Sequence, residues 1–419
     1  MAFTTPPAES VTQPTRGLLL GAATAAHQVE GDNFHNDWWA AEQAGVLPHR
    51  SGEACRHYHL YQADFDLARS LGHNAHRFSI EWSRIEPREG EWDETALSHY
   101  EAVVDALLAR GLEPVVTLHH FTNPSWFAER GGWATKGSVA LFARYASKVA
   151  SRLAPRVRYW LTINEPTVYV KRAYSAGAWP PFRRSAPLAG TLALRNLMRA
   201  HVAAYEALHR ARPDVMVGLS HSAPLVMAHH PGSPLDRMAA CMRDTVLNRV
   251  SFFLLGRRPQ RVLDFLGINY YSRQVVRWRP WPPAAALFGA ECQDLPNSED
   301  REFSDLGWEV YAPGLRIILN RFARLGIPLM VTENGIATQN ESLRERFVCD
   351  HLAALQQAIG DGVPVLGYLY WTLMDNYEWS EGFAPRFGLA ETDYLSQARR
   401  PRSAAVAFKD FCARTLGAR

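Results

Sequence analysis

A metal ribbon or a disulfide framework finds little to build on in this sequence. Its 419 residues include five cysteines (Cys55, Cys241, Cys292, Cys349, Cys412), an odd number, widely scattered, with no CxxC spacing. That excludes a zinc ribbon or a stapled secreted scaffold and points to a reduced, cytoplasmic protein. No apolar run approaches the length needed to span a bilayer, so no membrane role is expected. Neither charge dominates: 45 basic and 42 acidic residues leave a net +3. The Arg-rich stretches 195–212 and 237–261 read as solvated helix faces. There is no basic stripe interleaved with aromatics, which argues against nucleic acid as a partner. An internal repeat is also missing, beyond an alternation of element types.

One stretch imitates a secretory leader. Arg16 is followed by "GLLLGAATAA", a short apolar core with an Ala-x-Ala site. The preceding "MAFTTPPAESVTQPT" contains Glu9 and three prolines and carries little positive charge. Cleavage there would also remove a strand that the periodicity needs, so residues 1–16 read as a disordered N-terminal segment and 17–419 as one domain.

What the sequence does contain is short apolar runs alternating with amphipathic ones. Strands are expected at 17–21, 74–80, 113–119, 159–164, 216–220, 266–271, 328–333 and 366–374. Helices are expected near 57–71, 96–110, 138–153, 191–211, 235–255, 313–325, 341–360 and 402–415. In the second of these helices Leu97, Tyr100, Val103, Val104, Leu107 and Leu108 recur at the spacing that lines one face. Gly72, Gly111 and Gly326 stand where C-terminal caps belong. Eight strand–helix units point to an α/β fold, a single (β/α)₈ TIM barrel. An open doubly wound sheet gives the same alternation, but no Gly-rich phosphate loop follows the first strand, so a dinucleotide fold loses its main support. The stretch 273–306 is Pro-rich and is expected to be a long irregular loop.

Active sites of such barrels gather at the C-terminal ends of the strands. Those ends carry His27, Gln28 and Glu30; Arg77 and Glu81; His119 and His120; Asn164 and Glu165; Asn269, Tyr270 and Tyr271; Glu333 and Asn334; and Trp371, Glu378 and Trp379. Any one strand-end Glu is ordinarily a solvated or Arg-paired charge, and any one rim Trp a barrel cap. Together, Glu165 and Glu333 place two carboxyl groups three strands apart around one mouth, with aromatic faces for sugar rings beside them. Two facing carboxyl groups are the machinery of glycoside hydrolysis. His119 and His120 are adjacent, so only one can face the pocket, which weakens a metal-hydrolase reading. His57 and His59, at the start of a helix, read as structural. No metal and no cofactor are called for.

From about Leu18 to Phe408 the chain resembles glycoside hydrolase family 1, the retaining β-glucosidase and β-galactosidase family. "GAATAAHQVEGD" resembles its N-terminal signature, "TINEP" its acid/base motif, "LMVTENGIA" its nucleophile motif and "WTLMDNYEW" its strand-eight sugar motif. "RFSIEWSRIEP", "FLGINYYS" and "RFGL" add to the set. The resemblance implies Glu333 as nucleophile and Glu165 as acid/base, with Arg77 and the Tyr271 hydroxyl beside the nucleophile. It implies Gln28, His120, Glu378 and Trp379 as glycone contacts and Asn164 as a contact to the 2-hydroxyl. Asn269 would support the acid/base, Trp371 the pocket floor, and Trp308 the aglycone region. Members acting on 6-phosphorylated sugars typically replace the Glu found here as Glu378 and add a Ser/Lys clamp, so neutral β-glycosides are the implied substrates.

The chain departs from the family pattern at Phe121 and Thr167, where many relatives carry aromatics, and the connection 221–265 looks short. A wider entrance with relaxed aglycone choice is the expectation. Two other functions remain open at this stage: a transglycosidase using the same covalent intermediate, and a sugar-binding barrel without catalysis.

Overall fold

The computed structural model describes residues 17–292 and 301–417. The leading segment 1–16, expected to be disordered, lies outside the described residues. Eight parallel strands close into a barrel in sequential order: Leu19–Ala23, Ala75–Ser79, Glu113–His119, Tyr159–Asn164, Met216–Ser222, Leu266–Asn269, Leu329–Asn334 and Val365–Trp371, the last pairing with the first. These are the expected strands, shifted by a few residues at their ends. The first begins two residues late and runs on to Ala23, in register with Gly367–Trp371. A glycine is needed at its centre: a Cβ on Gly21 would lie 1.8 Å from the Ala75 carbonyl oxygen.

Side chains alternate across the barrel wall, which is why each strand reads as a nearly continuous apolar run. Val115, Leu161, Phe265, Met330 and Leu366 fill the interior. Val116, Trp160, Val217 and Val331 face outward into the layer beneath the helices. The helices of that layer include Glu94–Ala109, Ser138–Leu153, Pro187–Ala211 and Glu341–Gly360. Asp93 and Asn340 cap two of them through their side chains. Gly72, Gly111 and Gly326 hold φ of 76°, 68° and 70°, the left-handed conformation that ends a helix.

Two expectations need correction. The helix expected over 235–255 is two helices, Pro234–Asn248 and Val250–Leu254, with Arg249 between them at φ −127°. The Asn248 side-chain amide, at the end of the first helix, donates to Pro224 O and Asp244 Oδ1 and so anchors that end to the segment before the strand Leu225–Ala228. The stretch 273–306 is also not simply irregular. Arg273–Arg277 is a strand, parallel to Leu225–Ala228 and antiparallel to Ala290–Glu291, with the helix Pro283–Phe288 between. Val275 and Val276 are buried by this pairing, whose partner lies far away in sequence, so a local period count misses it. Residues 293–300 lie outside the described residues.

The loop after the eighth strand is fixed from below. Asp375 is fully buried and accepts hydrogen bonds from Gly388 N (2.9 Å), Arg402 Nη1 (3.0 Å) and Arg402 Nη2 (2.8 Å). Arg402 immediately precedes the last helix, Ser403–Gly417, so one carboxylate ties that helix to the loop carrying Asn376, Glu378 and Trp379. Removing a partner from a buried pair strands the other charge. Asp375→Ala is therefore expected to lower unfolding stability by about 3–5 kcal/mol. Glu91→Ala, which breaks only the exposed Arg88–Glu91 pair, should stay within about 0.5 kcal/mol. Denaturant midpoints of the two variants check this.

Candidate active site

Both candidate carboxyl groups leave strands whose pairing slips just before them. On the fourth strand the register shifts between Leu161 and Asn164, and on the seventh between Val331 and Glu333. Such irregularities re-aim side chains near functional sites. Here they turn Asn164 and Glu333 toward the barrel mouth. Glu165 then takes a left-handed conformation, φ 44° and ψ 59°, at a cost of about 1–3 kcal/mol for a non-glycine residue. Its N–H donates to Ser220 O at 2.9 Å, and Pro166 starts the helix Pro166–Val170 at its first position. Thus the Asn-Glu-Pro triplet has a mechanical meaning. Asn ends the strand, Glu makes the turn and Pro opens the helix.

Arg77, with no exposed surface, holds the floor together. Its Nη1 donates to Glu333 Oε1 (2.7 Å) and Thr332 O (3.0 Å), its Nη2 to Asn164 Oδ1 (2.8 Å) and its Nε to Thr117 Oγ1 (3.0 Å). The Tyr271 hydroxyl donates to the other Glu333 oxygen at 2.7 Å. Asn269 spans the centre, its Nδ2 donating to Glu165 Oε1 and Asn164 Oδ1, both at 3.1 Å. Asn269 is itself oriented, because its Oδ1 accepts from Thr332 Oγ1 (2.6 Å) and Ser220 Oγ (3.3 Å). Asn164 Nδ2 lies 3.2 Å from His120 Nε2.

These contacts divide the two carboxyl groups electrically. Each oxygen of Glu333 meets a donor, one of them cationic. Glu165 meets only neutral donors, the Asn269 amide at its Oε1 and the Ser222 hydroxyl. Burial first, and the Glu333 charge second, push Glu165 up to about 8. Glu378 is pushed up to about 8 by the same two causes. Burial and the neighbouring Arg77 hold His120 well below the usual imidazole range, so its ring stays neutral. Burial, then Glu333 and Glu165, keep the Tyr271 phenol protonated as a donor.

The twelve residues singled out from the sequence converge. His120, Glu165, Asn269, Tyr271, Trp308, Glu333, Trp371, Glu378 and Trp379 line one cavity of about 310 Å³. Arg77 and Asn164 lie behind it, bonded as above. Gln28 is also behind the lining, its Nε2 donating to Glu378 Oε2 (3.1 Å) and Tyr377 O (2.8 Å). The His120 ring stacks between Trp371 and Trp379, with centroids 5.8 and 6.0 Å away. Trp308 packs against Tyr271 at 5.4 Å. His119 turns the other way, toward Asn123 Oδ1 (3.0 Å) and Trp133.

Other lining residues were missed. Ser222 ends the fifth strand, two residues past its expected end, so the strand-end rule finds it once the boundary is right. Trp179 and Phe387 come from loops, where no period marks them. Phe121 packs on Trp179 and Trp379 at 4.9 and 5.2 Å, so aromatic surface is kept where the family's usual indole is missing. Val168 and Lys171, and not Thr167, supply that part of the wall.

With this geometry in hand, comparison with known proteins is specific. The model of "Glycosyl hydrolase family 1" matches residues 12–255 and 256–415. The β-glucosidase A of Thermotoga maritima is 30% identical over 91% of this chain and 94% of its own. The β-galactosidase of Pyrococcus woesei is 29% identical over 93% and 94%. Among solved structures, a β-glycosidase from Pyrococcus horikoshii superposes with a TM-score of 0.87 at 41% identity, covering 96% of this chain and 95% of that one. The family 1 β-glucosidase of Thermotoga maritima gives 0.88 at 27% identity, covering 97% and 99%. A family match over nearly the whole length, on a closed eight-stranded barrel with both carboxyl groups at its mouth, settles the assignment: the chain belongs to glycosyl hydrolase family 1 and is a glycoside hydrolase.

Proposed function

We propose that the protein is a retaining β-glycosidase that releases terminal non-reducing sugars from neutral β-D-glycosides, glucosides first and galactosides or fucosides besides. The observation that carries this reading is the unequal treatment of the two carboxyl groups, Glu333 held by Arg77 and Tyr271, Glu165 by a neutral amide. Glu333, ionised, attacks the anomeric carbon while Glu165 gives its proton to the leaving glycosidic oxygen. A glycosyl ester on Glu333 results, and the aglycone departs as an alcohol. Esterification removes the charge on Glu333, so Glu165 becomes more acidic. It then takes a proton from the water that attacks the anomeric carbon, which releases Glu333 and the sugar with its configuration kept. Asn164 is placed for the 2-hydroxyl and Gln28, His120, Glu378 and Trp379 for the other glycone hydroxyls. Trp371 forms the floor and Trp308 faces the leaving group. All five cysteines are free, which supports a reduced, cytoplasmic setting.

The deciding experiment is a panel of 4-nitrophenyl β-glycosides with Glu333→Ala as control, and proton NMR of the first sugar anomer released. The β-anomer should form first. First release of the α-anomer, or turnover surviving in Glu333→Ala, overturns the reading. Glu165→Gln is expected to lower kcat/KM for glycosides of poor leaving groups about 10²–10⁴-fold, the usual share of a general acid. Nitrophenyl glycosides, which need less protonation, should lose less.

The pH dependence follows from the raised Glu165. A carboxyl pushed up keeps its proton through neutral pH and loses it as pH rises through about 8. The acid form is the working one, so kcat/KM should fall on the alkaline side through that value. Because the Glu333 charge contributes to the rise, Glu333→Gln should move the Glu165 titration downward, read by carbon-13 NMR of labelled glutamate.

A further inference from the structure

The leaving-group wall carries a charge imbalance that the chemistry above does not use. Lys171 and Arg172 open the π-turn Lys171–Ser175, directly after the helix that Glu165 starts, and both line the cavity. Such turns recur at functional sites. Among the described residues neither side chain has a carboxylate within ion-pair distance. A third cation stands behind them. Arg243 is clamped by Phe288 O (2.8 Å) and Gly289 O (2.6 Å), with Gln274 Oε1 at 3.3 Å and Glu291 Oε2 at 3.4 Å. Among the described residues, three cations from two elements thus meet one carboxylate, Glu291, which Arg243 already contacts. Glu381 also lines the cavity, but from the turn Trp379–Glu381 after the eighth strand, beside the glycone contacts. Burial, then the charges of Arg172 and Arg243, pull the Lys171 ammonium below its ordinary range, with Glu291 opposing. An incoming anion relieves that repulsion.

The cavity that holds Glu165 and this cationic pair offers apolar as well as polar surface. Val168, Trp179 and Trp308 line it, and the Arg172 guanidinium lies 5.7 Å from the Trp179 ring. Lys171 follows Glu165 by six residues, roughly 9 Å of helical rise, which leaves room for an aromatic ring between the scissile oxygen and a charged substituent. We propose that the leaving-group side of the pocket takes an aromatic aglycone bearing an anionic substituent such as a carboxylate, with Lys171 and Arg172 as counter-ions and Trp179 against the ring. This rests on the glycosidase reading and narrows its substrate class.

The test compares kcat/KM for 4-carboxyphenyl β-D-glucoside and for its methyl ester, which share the glycone and the ring. In the Lys171→Gln/Arg172→Gln variant the carboxylate-to-ester ratio should fall about tenfold, two partly exposed charge contacts being lost. Lys171→Arg/Arg172→Lys, which keeps both charges, should retain most of the ratio, and rising salt should erode it in the wild type. A ratio unchanged in the neutral variant, or a loss shared equally by both glycosides, overturns the proposal. A wild type that turns over the nitrophenyl panel but cleaves neither of these glycosides also overturns the proposal, whereas one that turns over nothing in the panel overturns the glycosidase reading.

Discussion

The pair formed by Arg77 and Glu333 is the constraint on which the rest of the site depends. Both groups sit at the bottom of the barrel mouth, Arg77 with no exposed surface. Burying a guanidinium and a carboxylate is costly unless every donor is answered and the pair is close. Arg77 comes near that condition by spending four of its five N–H groups on acceptors of the third, fourth and seventh strands. One side chain from the second strand therefore sets the mutual position of three others. Arg77 and the Tyr271 hydroxyl each hold one oxygen of the buried Glu333. Burial first, and the neighbouring Glu333 second, raise Glu165.

The positions of the carboxyl groups were legible in the sequence because the barrel makes them so. A strand end in a (β/α)₈ alternation is a place at one rim, whatever the loop does next. Glu165, Glu333 and Asn269 stand at such ends, whereas Arg77 lies mid-strand on the second strand and reaches the mouth from below; the family resemblance then supplied roles for them. Other features came from pairings between segments remote in sequence. The triangle of the Ser220 and Thr332 hydroxyls with the Asn269 amide oxygen joins three strands, and no local spacing announces it. The strand Arg273–Arg277 is defined by Leu225–Ala228, some fifty residues earlier, so its stretch read as a loop. Trp179 sits in a loop where neither period nor strand-end logic applies. Boundaries failed for a simpler reason. The strands at 266 and 365 end where hydrogen bonding ends, while their apolar and aromatic residues run on into the pocket wall.

Local irregularity serves the chemistry on both carboxylate strands. A regular strand alternates strictly, which would leave no way to bring Asn164 and Glu165 to the same opening. The slipped register after Leu161 and the left-handed turn at Glu165 solve this together. The strain is held by neighbours, namely the Glu165 N–H bond to Ser220 and the helix that begins at Pro166. Placement of Glu165 thus draws on the fourth strand, the fifth strand and the following helix at once.

The small sheet of Leu225–Ala228, Arg273–Arg277 and Ala290–Glu291 stands outside the closed barrel. It borrows no hydrogen bond from the ring of eight, yet it brings Gln274 and Glu291 to the cavity wall. Its strands can exchange residues without disturbing the ion pair at the barrel floor. One wall of the cavity can thus be reshaped on this sheet while the buried network of Arg77 and Glu333 stays as it is.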